Sequence, residues 1–229
     1  MRQDHMELNG EESSRECYTI LVAGIPAAGK SVLAERLSAH LGLPWFSKDS
    51  IKEGLYDTIG FRSRQEKVKL GIASTEVLYY LAEQMMRCHK PFILENNFEA
   101  SSRQGLAELL ARYGYRALTL RLTGDYACIY RRFVQREKSS GRHPGHVTNS
   151  SYSKDSGAAP SPTVTLEQYV AAIQSREMDS FCMEGSVITV DTTDFSKVDY
   201  EAVYREVREW QNRAVLSRAC NFDQILHSE

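Results

Sequence analysis

The stretch YTILVAGIPAAGKSVLAERLSAHLG, residues 18–42, decides the fold. It opens on a short apolar and β-branched run, passes through Gly24, four further residues, then Gly29, Lys30 and Ser31, and ends in a segment with helical spacing that stops at Gly42. The pattern GxxxxGKS is the phosphate-binding P-loop signature. Two glycines let consecutive backbone N–H groups turn inward on one anion, and the start of a helix adds its positive dipole end at the same point. Lys30 then reaches the β- and γ-phosphates, and the Ser31 hydroxyl ligates the Mg²⁺ that bridges them. Residues Gly24, Ile25, Pro26, Ala27, Ala28, Gly29, Lys30, Ser31 and Val32 are therefore the expected nucleotide cradle, with ATP and Mg²⁺ as cofactors. YTILVA reads as a buried strand, and Val32, Leu33, Leu37 and Leu41 recur at helical spacing after the loop.

Beyond residue 42 strand-like and helix-like runs alternate, the pattern of a parallel sheet covered by helices. LPWFS, PFILEN, YRALTLRLTG and GSVITVDTT follow as strands. EVLYYLAEQMMRCH, RQGLAELLARYG, DYACIYRRFVQREK and YEAVYREVREWQN are the helices between and after them. This predicts a five-stranded α/β sandwich with its site at the carboxyl ends of the strands. Residues 139–164, SSGRHPGHVTNSSYSKDSGAAPSPTV, interrupt the alternation and are too long for an ordinary connector. They read as a lid, at about 138–166, flanked by arginines.

The rest of the composition excludes several classes. With 229 residues, 42% hydrophobic and 25% charged, the chain suits one well-cored domain. A formal net charge of −2 gives no general attraction to nucleic acid or anionic membrane. No apolar run approaches the roughly 20 residues that span a bilayer. Cys17, Cys88, Cys128, Cys182 and Cys220 are odd in number and lack a CxxC pair, which fits free thiols in a reducing cytoplasm. Residues 1–16 read as a disordered tail, 17–212 as the domain, and 213–229 as a C-terminal tail of no legible role.

The chain resembles the small P-loop kinases, the group that holds shikimate and gluconate kinases, chloramphenicol phosphotransferase, zeta toxins and the kinase domain of phage polynucleotide kinase. GIPAAGKS, FSKDSIKEGLYD, FILENNF, YRRFVQRE with GRHPGH, and VDTTDF carry the resemblance, over residues 18 to about 210. It implies a P-loop NTPase three-layer sandwich of strand order 2-3-1-4-5 with a lid insertion, and transfer of the γ-phosphoryl group of ATP to a hydroxyl of a small molecule. A nucleic-acid 5′-hydroxyl kinase and a UDP-sugar kinase toxin are alternatives within that group. A nucleotide-binding regulatory ATPase is the alternative from another class.

Asp49 stands where relatives place a carboxylate facing the γ-phosphate, to take or orient the acceptor proton; Asp is also a good helix N-cap, and both roles are open. Lys52 is a substrate ligand or a surface partner of Asp49. Glu95 ends PFIL where a carboxylate would hold Mg²⁺ or contact the substrate, and Asn96 and Asn97 extend that polar cluster. Of the basic residues on YRRFVQRE and just after it, Arg132 ranks first as the transition-state arginine, then Arg136 and Arg142, with Arg131 on the same helix. His143 and His146 lack a third ligand nearby, so a Pro-Gly turn at the lid hinge is a better reading than metal.

Overall fold

A computed structural model describes residues 17–155 and 160–226. The tail expected over residues 1–16 lies outside the described residues. Five strands, β1 (Tyr18–Gly24), β2 (Trp45–Ser47), β3 (Phe92–Glu95), β4 (Arg116–Thr123) and β5 (Ser186–Asp191), form one parallel sheet of order β2-β3-β1-β4-β5. The expected topology is the observed one. Helices α1 (Lys30–Leu41), α2 (Lys48–Ile59), α3 (Arg64–Arg87), α4 (Ser102–Tyr113), α5 (Tyr126–Glu137), α6 (Pro144–Val147), α7 (Leu166–Gln174) and α8 (Tyr200–Leu226) cover it.

Every residue of β1 is buried, because this central strand has a core on both sides. Ile20 and Val22 point to one face, with Leu33 and Leu37 of α1, Ile129 of α5, Tyr169 and Ile173 of α7 and Val203 and Val207 of α8. Leu21 and Ala23 point to the other, with Leu78, Ala82 and Met86 of α3 and Leu106 and Leu110 of α4. Register then brings the polar strand ends together: Val22 of β1 and Ser47 of β2 both lie opposite Glu95 of β3. Among the described residues no helix is long and apolar enough to cross a membrane.

Three elements differ from the sequence expectation. α3 starts twelve residues earlier than the apolar run EVLYYLAEQMMRCH, at Arg64, where the Ser63 hydroxyl accepts from the Glu66 amide at 3.2 Å. Its first turns carry Val68 and Ile72 on an exposed face, so no core periodicity announces them. α7 emerges directly from the Ser/Pro-rich insert and was not foreseen; a capping box between Thr165 and Gln168 starts it. α8 runs to Leu226, through most of the stretch set apart as a C-terminal tail.

Candidate active site

The loop between β1 and α1 takes the conformation its glycines permit. Gly24 has φ 134° and Gly29 φ 91°. A Cβ on Gly24 would stand 2.3 Å from the carbonyl oxygen of Leu122, so no side chain fits there. α1 begins at Gly29 without a side-chain cap, which leaves its first amides directed at the loop's concavity. Lys30 is buried and its Nζ donates to the Ile25 carbonyl at 3.0 Å. The Tyr169 hydroxyl of α7 closes the far side of the loop, donating to the Pro26 carbonyl at 2.5 Å.

This loop floors a cavity of about 900 Å³. Lys30, Ser31, Val32, Asp49, Lys52, Glu95, Asn97, Arg132, Arg136 and Arg142, dispersed over more than a hundred positions of the chain, all line it. Arg131 does not. It is exposed on the opposite side of α5 and its Nη2 donates to Cys128 Sγ at 3.0 Å.

Glu95 is buried at the end of β3 and accepts from the Ser47 hydroxyl at 2.6 Å. Burial raises its pKa; Lys30 and the hydroxyls of Ser47 and Ser31 oppose that rise. Ser31 and Glu95 are thus adjacent oxygen donors beneath the phosphate loop, a donor set suited to Mg²⁺ completed by phosphate and water. Asp49 is half exposed to the cavity while its flanks are enclosed. Burial pushes its pKa up, and His146, Arg142, Lys52 and Lys30 outweigh that push and hold it below the usual range. Arg142 Nη1 stands 3.9 Å from Asp49 Oδ2. Asp49 is not the cap of α2: Ser47 is, its hydroxyl accepting from the Ser50 amide at 3.4 Å. The carboxylate of Asp49 is therefore free of the role that offered the simplest alternative.

Across the cavity α5 presents two guanidinium groups. Arg132 lies 3.9 Å over the ring of Phe195, in the single-turn helix Phe195–Lys197 after β5. Arg132 Nε and Nη2 and Arg136 Nε are shielded from solvent yet have no hydrogen-bond partner. Leaving such donors unpaired costs about 1–3 kcal/mol each, which an incoming anion would recover. Arg136 also stands 3.9 Å from Glu137, and Arg142 Nε donates to the same carboxylate at 3.1 Å.

His143 and His146 each meet a carboxylate of α2. No cluster of three metal-ligating side chains occurs among the described residues. His143 Nδ1 accepts from the Gly145 amide at 3.1 Å, so its Nε2 carries the proton and donates to Asp57 at 3.0 Å. His146 Nε2 meets Glu53 at 2.9 Å, and the Tyr152 hydroxyl donates to Asp57 at 2.7 Å. Tyr152 also exchanges two backbone hydrogen bonds with Phe61, at 2.9 and 2.8 Å. From α3 the buried Lys67 donates to the His146 carbonyl at 2.9 Å and to that of Thr148. Segment 143–152 is fastened along α2 and the start of α3.

Arg64, Lys67, Tyr169, Arg176 and Phe195 also line the cavity without having been singled out from the sequence, and His146, expected at a lid hinge, lines it with them. A TxxQ capping box was the available signal for Tyr169, because it marks a helix after the insert. Lys67 carried none: only the docked segment makes it a buried donor.

Lys30 provides a measurable pH dependence. Burial lowers its pKa to about 8, with Glu95 and Asp49 opposing. Phosphates bind the charged form and restore its pKa, so nucleotide affinity should be at its plateau well below pH 8 and fall as pH rises, by about tenfold at one unit above the free-state pKa. Titration calorimetry at pH 7 to 9.5 in two buffers of different ionisation enthalpy should show proton uptake on binding in the upper range. Flat affinity to pH 9.5 would contradict it.

The sheet order and the phosphate loop after its central strand make this chain a P-loop NTPase. More particularly, it belongs to the AAA domain family, whose model matches residues 20–153. No sequence among the curated proteins matches the chain significantly. Among solved structures, that of a putative kinase from Chloroflexus aurantiacus J-10-fl aligns with 87% of this chain and 98% of its own, at 22% identity and a TM-score of 0.64. A gluconokinase from Sinorhizobium meliloti 1021 aligns at 15% identity and a TM-score of 0.48, over 91% of this chain and 98% of its own. A sugar kinase from Janibacter sp. HTCC2649 aligns at 14% identity and the same TM-score of 0.48, over 86% and 94%. The first of these is a likeness of fold.

Proposed function

We propose that the protein is a Mg·ATP-dependent phosphotransferase that moves the γ-phosphoryl group to a hydroxyl of a small molecule. The observation that carries this reading is the set of shielded, unpartnered guanidinium donors of Arg132 and Arg136 in the same cavity as Lys30 and the carboxylate of Asp49. Phosphoryl transfer spreads negative charge over the moving oxygens, and fixed cations on both sides of that position stabilise it.

In this reading residues 24–32 hold the nucleotide phosphates, with Lys30 on the β- and γ-oxygens. Ser31 and Glu95 hold the Mg²⁺, which neutralises phosphate charge. Asp49 accepts the acceptor's hydroxyl proton as the new O–P bond forms and the bond to the β-phosphate oxygen breaks, leaving ADP. Arg132 and Arg136 meet the transferring group, while Arg142 and Asn97 line the acceptor's position with Lys52. Residues 138–166 act as the lid, within a domain of residues 17–212.

Labelled ATP offered with sugars, nucleosides, aminoglycoside-like and chloramphenicol-like antibiotics, UDP-sugars and a short oligonucleotide should transfer label to a small hydroxylated compound. Label only on the oligonucleotide would make the protein a 5′-hydroxyl kinase. No acceptor at all, together with capture of a partner only in the presence of ATP, would make it a regulatory ATPase.

A further inference from the structure

A second cavity, of about 450 Å³, opens between α2 and α3 and shares Lys52, Arg64, Lys67 and Arg176 with the main one. Its wall brings together five cations, those four and Lys48, against two carboxylates, Glu76 and Glu99. Two of the five are already engaged. Arg176 pairs with Glu99 at 3.4 Å, and Lys67 is spent on backbone carbonyls of the docked segment. Lys48, Lys52 and Arg64 have no carboxylate within ion-pair distance among the described residues. Arg64 donates only to the neutral amide of Asn149, at 3.1 Å, and Lys52 lies 5.5 Å from the centre of the Tyr56 ring.

Basic residues on helices are usually a solvated face, free to spread apart. Here Lys48 and Lys52 are half-buried, with Arg64 exposed beside them. Lys52 crosses from α2 to α3 over Gly71, its Cε in van der Waals reach of that position. Burial lowers the pKa of Lys48 and of Lys52, offset in part at Lys48 by Glu99 and then Asp49 and at Lys52 by Asp49, and further lowered at Lys52 by Lys48 and Arg64. Like charges gathered in a partly desolvated cleft are unfavourable unless an anion joins them. The cleft also adjoins the proton acceptor: Lys52 follows Asp49 by three residues on α2, a separation of about 5–6 Å between Cβ atoms. A hydroxyl at Asp49 and an anion at Lys52 therefore fit within one small molecule.

We propose that the acceptor carries, besides its reacting hydroxyl, an anionic group, a carboxylate or a phosphate ester, and that Lys48, Lys52 and Arg64 bind that group in the side cavity. The proposal rests on the phosphotransferase reading above. Val68, Ile72 and Tyr79 line the same cavity and give the acceptor's body an apolar wall.

The test uses matched probes with the nucleotide site filled by a non-hydrolysable Mg·ATP analogue, so that no probe can settle in the phosphate loop. Calorimetry with glycerol 3-phosphate against glycerol, and glucuronate against glucose, should show the anionic member of at least one pair binding about tenfold or more tighter. The preference should disappear in Lys52→Gln/Arg64→Gln, return in Lys52→Arg/Arg64→Lys, and weaken with salt; thermal melting checks that the variants are folded. Equal binding within both pairs overturns the proposal, as does a preference that survives Lys52→Gln/Arg64→Gln. The two readings fail separately. Anions that bind here while no compound ever receives label remove the phosphotransferase and keep the site; a phosphorylated acceptor that is neutral does the reverse.

Discussion

Asp49→Asn is expected to leave Mg·ATP affinity within a few-fold of the parent and to lower turnover on the order of 10²- to 10⁴-fold, the usual range of a general base. The amide keeps the size and the position of the carboxylate but cannot take a proton. Binding is spared because the cradle is built from residues 24–32, while Asp49 stands at the start of α2, beside Arg142 and Lys52. Since Ser47 caps α2, the substitution removes no cap. It forfeits an acidic side chain from the helix's first turn, worth about 0.3–1 kcal/mol, together with the charge that faces Arg142 at 3.9 Å. The measurement is single-turnover transfer to the acceptor found by the label screen, alongside a thermal shift with Mg·ATP. Unchanged turnover would pass the proton to Glu95, which burial already biases toward holding one.

Lys30→Ala is expected to cost at least as much, on the order of 10³-fold in transfer, because a charged donor to the developing phosphoryl oxygens disappears from a buried position in the loop. A second loss follows from the first. Lys30 is the foremost charge opposing the burial-driven rise in the pKa of Glu95, so its removal shifts that carboxyl further toward the neutral form and weakens any Mg²⁺ it holds. The variant should therefore need more Mg²⁺ for its residual activity, and more so at lower pH, whereas the parent should not. The fold should survive: the loop's course is set by Gly24 and Gly29, and the structural cost is one of the Ile25 carbonyl's two donors, the Ala28 amide remaining at 3.2 Å, about 1 kcal/mol. A folded variant with near-parental turnover would make the GxxxxGKS motif incidental.

What the sequence made legible, and what it did not, follows from how each group reaches the cavity. The nucleotide cradle is a single run of nine residues whose conformation is set locally by its glycines, so the motif alone placed it. Asp49 and Glu95 were legible because strand ends in a parallel sheet converge, and the register of Glu95 against both Val22 and Ser47 brings that convergence about. The acceptor side is assembled instead from α2, α3 and the segment after α5, and no local pattern encodes that meeting. Lys67 and Arg64 lie on helical turns whose apolar neighbours, Val68 and Ile72, face the open side cavity instead of the core, so periodicity was silent where that cavity forms. Phe195 is similar: one aromatic in a short loop, whose value lies in the ring it offers to Arg132 and in its closeness to Gly29, where a Cβ would stand 2.6 Å from it.

The fastening of segment 143–152 bears on how the molecule moves. Asp57 and Glu53, which hold His143 and His146, sit on the same helix as Asp49 and Lys52, and Lys67 ties the segment to the neighbouring helix. A tilt of α2 that keeps these bonds carries Asp49, Lys52 and the strap together, like parts bolted to one arm. Tyr169 and Arg132, on α7 and α5, contact the phosphate loop and Phe195 and lie outside those bonds. In the phosphotransferase reading proposed above, a nucleotide in the loop would leave the arm in place, and an acceptor at Asp49 and Lys52 would have to work against it.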